Sequence, residues 1–254
     1  VKRGARVYIS SRKAPACDAI ATELNALPGG GSCHSVPEDV STNEGCVRLA
    51  AALASRETKL HVLVNNSGTS WGQPLLQYAE EGWRKVLDLN LVAPFQLTRA
   101  LLPLLDAGSS EANPARVINI GSVAGITHQA FPTYAYDASK AAVHSLTRKL
   151  ASELARRPGG MSITVNAIAP GYVPTAMSAQ LGSYADSRAM EKSIPLGRMG
   201  NAGDMAGVAI FLAARSGAWV TGVVIPVDGG QLAAPIQDES YLRQKSGVLP
   251  TSRL

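Results

Sequence analysis

Short apolar runs alternate along the chain with stretches in which apolar residues recur every three or four positions. That alternation predicts strands interleaved with helices. Strands are expected over Arg6–Ser10, Ser32–Val36, Leu60–Val64, Arg116–Ile120, Ser162–Ile168 and Val223–Val227. Helices are expected over Pro15–Leu27, Ser41–Arg56, Ala79–Leu105, Tyr134–Ala155 and Gly203–Ala214. The first of these stops at Pro28-Gly29-Gly30-Gly31 and the fourth near Pro158-Gly159-Gly160. Ser41 is the expected N-cap of its helix, with Glu44 as capping-box partner. Pro94 should bend the long helix that contains it, because proline lacks the N–H of the helical ladder. Strand–helix alternation implies an α/β domain with a doubly wound parallel sheet and helices on both faces. The strands are apolar almost throughout, as expected where both faces are covered. Residues 1–230 would form this domain, and 231–254 a polar tail or an arm that packs on a neighbouring subunit.

The order begins oddly for such a sheet. A doubly wound nucleotide-binding fold opens with a strand, a glycine-rich turn and a helix whose N-terminus faces the pyrophosphate. No GxGxxG precedes Arg6–Ser10, and Val1–Gly4 reads as the last turn and C-cap of such a helix. Gly29-Gly30-Gly31 follows a helix and precedes a strand, so it reads as a loop. The expectation is a Rossmann-like domain lacking its first strand and glycine-rich turn, a unit of about 25–30 residues.

Composition narrows the function classes. The chain has 254 residues, 17% charged, with a net charge of +5 spread thinly and 5% aromatic residues. Nucleic-acid binding would want a basic stripe with aromatics interleaved, so a solvated surface is the better reading. No apolar run reaches the roughly 18 residues of a membrane span. Cys17, Cys33 and Cys46 have no CxxC spacing, so no metal site is expected and a reducing, cytoplasmic location is. Among the histidines, His61 lies in an apolar strand and reads as a core residue. His128 falls in the loop between Gly121-Ser122 and Tyr136, where it could touch a substrate.

Tyr136 and Lys140 stand at i and i+4, on one face of a helix. Ser122 closes a buried strand, on the edge of the sheet where open α/β folds bind ligands. Asn90 sits inside the long helix, where a buried asparagine is unusual without a task. Tyr134 lies six residues from Lys140 and would face another way. These four residues resemble the Asn-Ser-Tyr-Lys tetrad of the short-chain dehydrogenase/reductase family. Asn65-Asn66-Ser67-Gly68, Pro170-Gly171 with Thr175, and Pro226-Val227-Asp228-Gly229-Gly230 are similar to further family motifs, in order, over residues 1 to about 230.

The resemblance implies hydride transfer between a nicotinamide cofactor and a carbonyl or alcohol carbon. Tyr136 would be the general acid/base, its pKa lowered by the Lys140 ammonium. Ser122 would hold the substrate oxygen. Lys140 would also hold the nicotinamide ribose, and Asn90 would order a water in a proton relay. Where NAD enzymes carry an acidic residue for the ribose 2′-hydroxyl, this chain has Ser11 followed by Arg12 and Lys13. Arg12 can bind a 2′-phosphate bidentately, so NADP(H) is the expected cofactor. Asp39 and Val40 would contact adenine, and Asn66, Ser67 and Gly68 the adenosine ribose. Pro170, Gly171, Val173 and Thr175 would contact the nicotinamide amide. A homotetramer is implied as well.

Substrate choice should lie in loops. The segment Ala176–Ile194, with Met177, Leu181, Tyr184 and Met190, reads as a lid suited to an apolar or acyl substrate. Gly68–Gly72, including Trp71, and Asn113–Ile126 resemble bacterial β-ketoacyl reductases of the rhamnolipid type, which implies a 3-oxoacyl thioester. Three readings stay open. One is that thioester; another is a ketone, quinone or polyol of secondary metabolism. The third is a catalytically silent binding protein, if the phosphate-binding loop is truly missing; against the thioester reading, Trp71 and its neighbours can be fold-supporting residues that say nothing of substrate.

Overall fold

The computed structural model describes residues 1–129, 131–175, 177–178 and 191–233. Most of the expected lid, with Leu181, Tyr184 and Met190, lies outside the described residues, as does the tail from residue 234 onward. The strands are β1 (Arg6–Ile9), β2 (Ser32–Ser35), β3 (Val62–Asn65), β4 (Ala115–Ile120), β5 (Ile163–Pro170) and β6 (Val224–Val227). The helices are α1 (Ala14–Asn25), α2 (Asn43–Ala54), α3 (Glu80–Leu87), α4 (Ala93–Ala107), α5 (Tyr134–Leu154) and α6 (Ala202–Ala213). The chain is therefore a single α/β domain of the expected order.

Every strand pairing is parallel, but among the described residues the sheet is in two parts, β1-β2 and β3-β4-β5-β6. A cavity of about 960 Å³ separates them, lined by Gly4–Ser10 on one side and Leu60–Ser67 on the other. The expectation of strands covered on both faces holds for β4 and β5, buried in all but their last residues. It fails for β1 and β3, which border the cavity; Val64 is 45% exposed.

The main core lies on one face of the sheet. Leu49 and Leu53 of α2, Leu97, Leu101 and Leu105 of α4, and Leu150 and Leu154 of α5 pack there against Val117, Ile163 and Val165. Each fully buried leucine stabilises the fold by about 1.5–3 kcal/mol. A smaller cluster, Ile118, Ile168 and Leu212, places α6 against the sheet. A buried polar chain crosses the main core. Asn65 Nδ2 donates to Asn119 Oδ1 at 2.8 Å and to Thr98 Oγ1 at 3.3 Å. Asn119 Nδ2 in turn donates to Thr147 Oγ1 at 2.9 Å. The two threonine hydroxyls donate back to the carbonyls of Pro94 and Val143.

Two local expectations change. The cap of α2 is Thr42, whose hydroxyl accepts from Gly45 N. The helix begins at Asn43, one residue later than the pattern predicts, so Ser41 falls outside the cap and instead donates its N–H and hydroxyl to Asp39 Oδ1, at 3.0 and 2.6 Å. The long helix is two helices, α3 and α4, joined by a π-helical turn over Asp88–Val92. Pro94 falls in the first turn of α4. It has no N–H to offer the carbonyl of Asn90, so the disruption falls before the proline rather than at it.

Candidate active site

Strand β4 ends at Ile120, and the chain turns at Gly121-Ser122 into a short 3₁₀ turn over Val123–Gly125. The Ser122 hydroxyl caps that turn, accepting from Ala124 N at 3.1 Å, and it is near enough to Tyr136 to favour the ionised phenol. Both residues border a cleft of about 590 Å³ along the C-terminal ends of the strands. Lys140, one turn further along α5, is buried in the same wall and donates to the Ile120 carbonyl at 2.7 Å. Its Nζ lies 5.5 Å from the Tyr136 ring centre.

Burial sets the protonation of this trio. It holds the Lys140 ammonium down, to about 8. It raises the Tyr136 phenol, against the opposite pull of the Ser122 hydroxyl. The expected lowering of Tyr136 by Lys140 is therefore reversed here, because the ammonium is turned onto the Ile120 carbonyl and the phenol is desolvated. Tyr134 faces away, 39% exposed and edge-on to Tyr78.

Asn90 lies on the π-helical turn and does not border the cleft. Its Oδ1 accepts from Thr69 N at 2.8 Å, and its Nδ2 donates to Thr69 O and to Ser139 Oγ, both at 3.0 Å. The Ser139 hydroxyl donates to the Tyr136 carbonyl at 2.7 Å. The Asn90 side chain therefore ties the turn after β3 to the first turns of α5. π-helical turns recur at functional sites.

At the far end of the cleft stand Ser11, Arg12, Asp39 and Val40, with Asn66, Ser67 and Gly68 between them and the Tyr136–Lys140 end. Asp39 is held below the usual carboxylate range, first by its hydrogen bond from Ser41, and Arg12 pulls in the same direction. The sequence reading missed Glu38, a carboxylate in the same wall. Arg48 binds it through Nε and Nη2 at 2.9–3.1 Å. Among the described residues that line this end of the cleft, that leaves Arg12 as the cation free to meet an anion.

Pro170, Gly171, Val173 and Thr175 form the opposite wall. A Cβ at Gly171 would stand 2.8 Å from Asp228 Cα, so glycine lets the two loops meet. The Asp228 carboxylate accepts from Gly230 N and Leu232 N, and Gly229 and Gly230 have positive φ. The Pro226–Gly230 motif is thus a buttress behind the cleft.

Further along the wall, Gln129, Phe131, Thr133, Asp137 and Tyr172 line the cleft. Tyr172 Oη donates to Gln129 Oε1 at 3.0 Å, and Thr133 Oγ1 donates to Asp137 Oδ1 at 3.0 Å. None of these five was singled out in the sequence; only the place of Gln129, Phe131 and Thr133 between Ser122 and Tyr136, of Asp137 beside Tyr136, and of Tyr172 just after β5 could have flagged them. His128 is exposed and does not border the cleft. His61 is exposed as well, just ahead of β3, because the strand begins only at Val62. The buried histidine is His144. Trp71 packs against Gly82 of α3 beneath Lys85, away from the cleft.

A nicotinamide dinucleotide fits these residues. Ser10 Oγ borders the cleft, buried and without a partner. Gly68 keeps the floor open, since a Cβ there would approach Asn90 Oδ1 at 3.4 Å and Lys140 Nζ at 3.8 Å.

A family model described as enoyl-(acyl carrier protein) reductase matches residues 1–231. Over 233 residues the chain is 48% identical to the rhamnolipids biosynthesis 3-oxoacyl-(acyl-carrier-protein) reductase of Pseudomonas aeruginosa, with 91% of this chain and 88% of that protein covered. It is 35% identical over 229 residues to the 3-oxoacyl-(acyl-carrier-protein) reductase FabG of the same organism, covering 89% and 87%. The solved Pseudomonas aeruginosa RhlG/NADP active-site complex superposes with a TM-score of 0.82 at 48% identity, over 90% of this chain and 87% of that one.

Proposed function

The chain belongs to the short-chain dehydrogenase/reductase family, and we propose that it reduces a 3-oxoacyl thioester to its 3-hydroxyacyl form with NADPH. The observation that carries this reading is the convergence of Ser122, Tyr136 and Lys140 on one end of a cleft whose other end offers Ser11 and Arg12. NADPH, when bound, supplies the hydride that adds to the carbonyl carbon. Tyr136 gives its phenolic proton to the carbonyl oxygen, and its raised pKa keeps that proton in place until then. Ser122 holds the same oxygen by a hydrogen bond and stabilises the charge developing on it. Lys140 holds the nicotinamide ribose and offers a positive charge beneath the phenol. Asn90 supports the site through Thr69 and Ser139. Arg12 receives the 2′-phosphate. Phe131, Val173 and Met177 give the substrate end an apolar wall suited to an acyl chain. The similarity to two 3-oxoacyl reductases supports the same substrate class.

The cavity between β1 and β3 is the seat we assign to a further parallel strand, followed by a glycine-rich turn at the pyrophosphate. Its support is the pair of facing strand edges. We assign a homotetramer, supported by apolar residues left exposed on α4 and around α6, among them Phe95, Phe211 and Trp219. A cytoplasmic location accords with three buried free thiols. No helix among the described residues is long and apolar enough to cross a membrane.

The test is NADPH titration and acetoacetyl-thioester reduction, run on this chain and on a version extended at its N-terminus by a strand–glycine turn–helix unit. Binding and turnover that appear or sharpen with the extension support both assignments. Tight binding by the short chain alone removes the strand assignment, and no turnover by either removes the reductase reading.

A further inference from the structure

A buried imidazole that this reaction does not use stands behind the site. His144 follows Lys140 by one helical turn and Tyr136 by two, so all three share a face of α5. It is 3% exposed, and its Nε2 has no hydrogen-bond partner. The ring edge lies against Gly121: a Cβ built there would overlap Nε2 and stand 2.8 Å from Cδ2. Gly121 is held from the other side as well, its N–H donating to the Ile168 carbonyl at 2.7 Å. The turn that carries Ser122 is thus fixed to α5 on both flanks. Before it, Ile120 accepts from Lys140 Nζ. After it, Gly125 lies so close to α5 that a Cβ would stand 2.7 Å from Ala141 N.

A buried nitrogen without a partner is costly, and an aliphatic side chain would fill space here without it. What the imidazole supplies is a thin, flat edge at a fixed height. We propose that His144 is a positioning residue for the reduction: its ring sets how closely Gly121-Ser122 approaches α5, and so places the Ser122 hydroxyl against Tyr136. The inference rests on the roles proposed above for Ser122 and Tyr136.

The experiment is a double-mutant cycle of His144→Ala and Gly121→Ala, in which the added methyl enters the space the ring leaves. Turnover is measured with NADPH and acetoacetyl thioester. The ¹³Cζ resonance of Tyr136, assigned with Tyr136→Phe, is recorded without cofactor. Each single variant is expected to lower kcat between about 10- and 100-fold, as a small misplacement of a reacting group does, with KM for NADPH changed less than about twofold. The Tyr136 resonance should move in both singles. The double variant should recover kcat and return the resonance toward its original position. Losses that simply multiply overturn the proposal, as does an unchanged kcat in His144→Ala. So does a fall in kcat that follows melting temperature while the resonance stays put. If His144→Ala does not fold, His144→Asn takes its place. If neither the chain nor its extended version turns anything over, it is the reductase reading that fails. The resonance then decides the positioning role by itself: movement in the singles and reversal in the double uphold it, and none overturns it.

Discussion

The two parts of the sheet are made of similar short parallel strands, yet only one contains strands buried along nearly their whole length. In β3–β6, strands β4 and β5 are buried almost end to end; the carbonyl that ends β4 holds Lys140, and Ala124 N in the turn beyond it holds Ser122. In β1–β2, the ligand-facing Ser11 and Arg12 are exposed, and the strands are tied to the rest by surface contacts such as Arg6 and Tyr8 to Glu57. A proton transfer needs fixed, desolvated partners, whereas recognition of a phosphate needs a reachable charge. The chemistry sits in the buried part and the charge recognition in the open part.

That division can be broken by mutation. The largest effect belongs to Tyr136→Phe, which should lower kcat by about 10²–10⁴-fold, the range for losing a general acid, with melting temperature unchanged. Activity above a few per cent would remove the division's catalytic side. Asn119→Ala leaves Asn65 and Thr147 without their partner in the buried part, and should cost about 2–4 kcal/mol in urea unfolding. A smaller loss would mean the buried chain repairs itself. Arg12→Ala, in the open part, should raise KM for NADPH about 10- to 100-fold and leave NADH unchanged, since only the charged contact is lost. Equal changes for both cofactors would refute the 2′-phosphate contact.

Lys140→Met separates stability from catalysis. The lysine's folded pKa is about 8, against 10.5 ordinarily. At pH 7 it is charged in both states, and burial of that charge weighs against the fold. Between about pH 8 and 10.5 the unfolded chain holds the proton that the folded chain has lost, so stability rises with pH there. The methionine variant should thus be inactive yet more stable at pH 7, by about 1–3 kcal/mol, with the gap closing toward pH 10. The smallest change is Arg6→Ala, which should barely move the urea-unfolding midpoint, because its ion pair with Glu57 is largely open to solvent.

The sequence carried the element order well, because each strand and helix has its own local period. It carried the tyrosine, lysine and serine because helical spacing and a strand end place them without reference to anything distant. What it could not carry depends on partners far along the chain. The one-residue shift of the α2 cap from Ser41 to Thr42 follows from where the turn ahead of the helix closes, which a capping pattern alone does not fix. His61, expected in the core, is exposed while His144 is buried, because burial depends on which elements meet, not on the neighbours in sequence. The raised phenol of Tyr136 follows from desolvation by the assembled cleft, which charge counting along α5 does not contain.

The asparagine pair beneath the site acts on errors as well as on the finished fold. Asn65 and Asn119 stand opposite each other in the β3–β4 register, each bonded to the other and to one helix. A slip of one residue between the strands would turn one amide to the far face of the sheet and strand its former partners in an apolar interior. Each group so abandoned costs about 1–3 kcal/mol. A mispaired sheet would thus be disfavoured well before the cleft forms, and the two amides serve folding as a proofreading step.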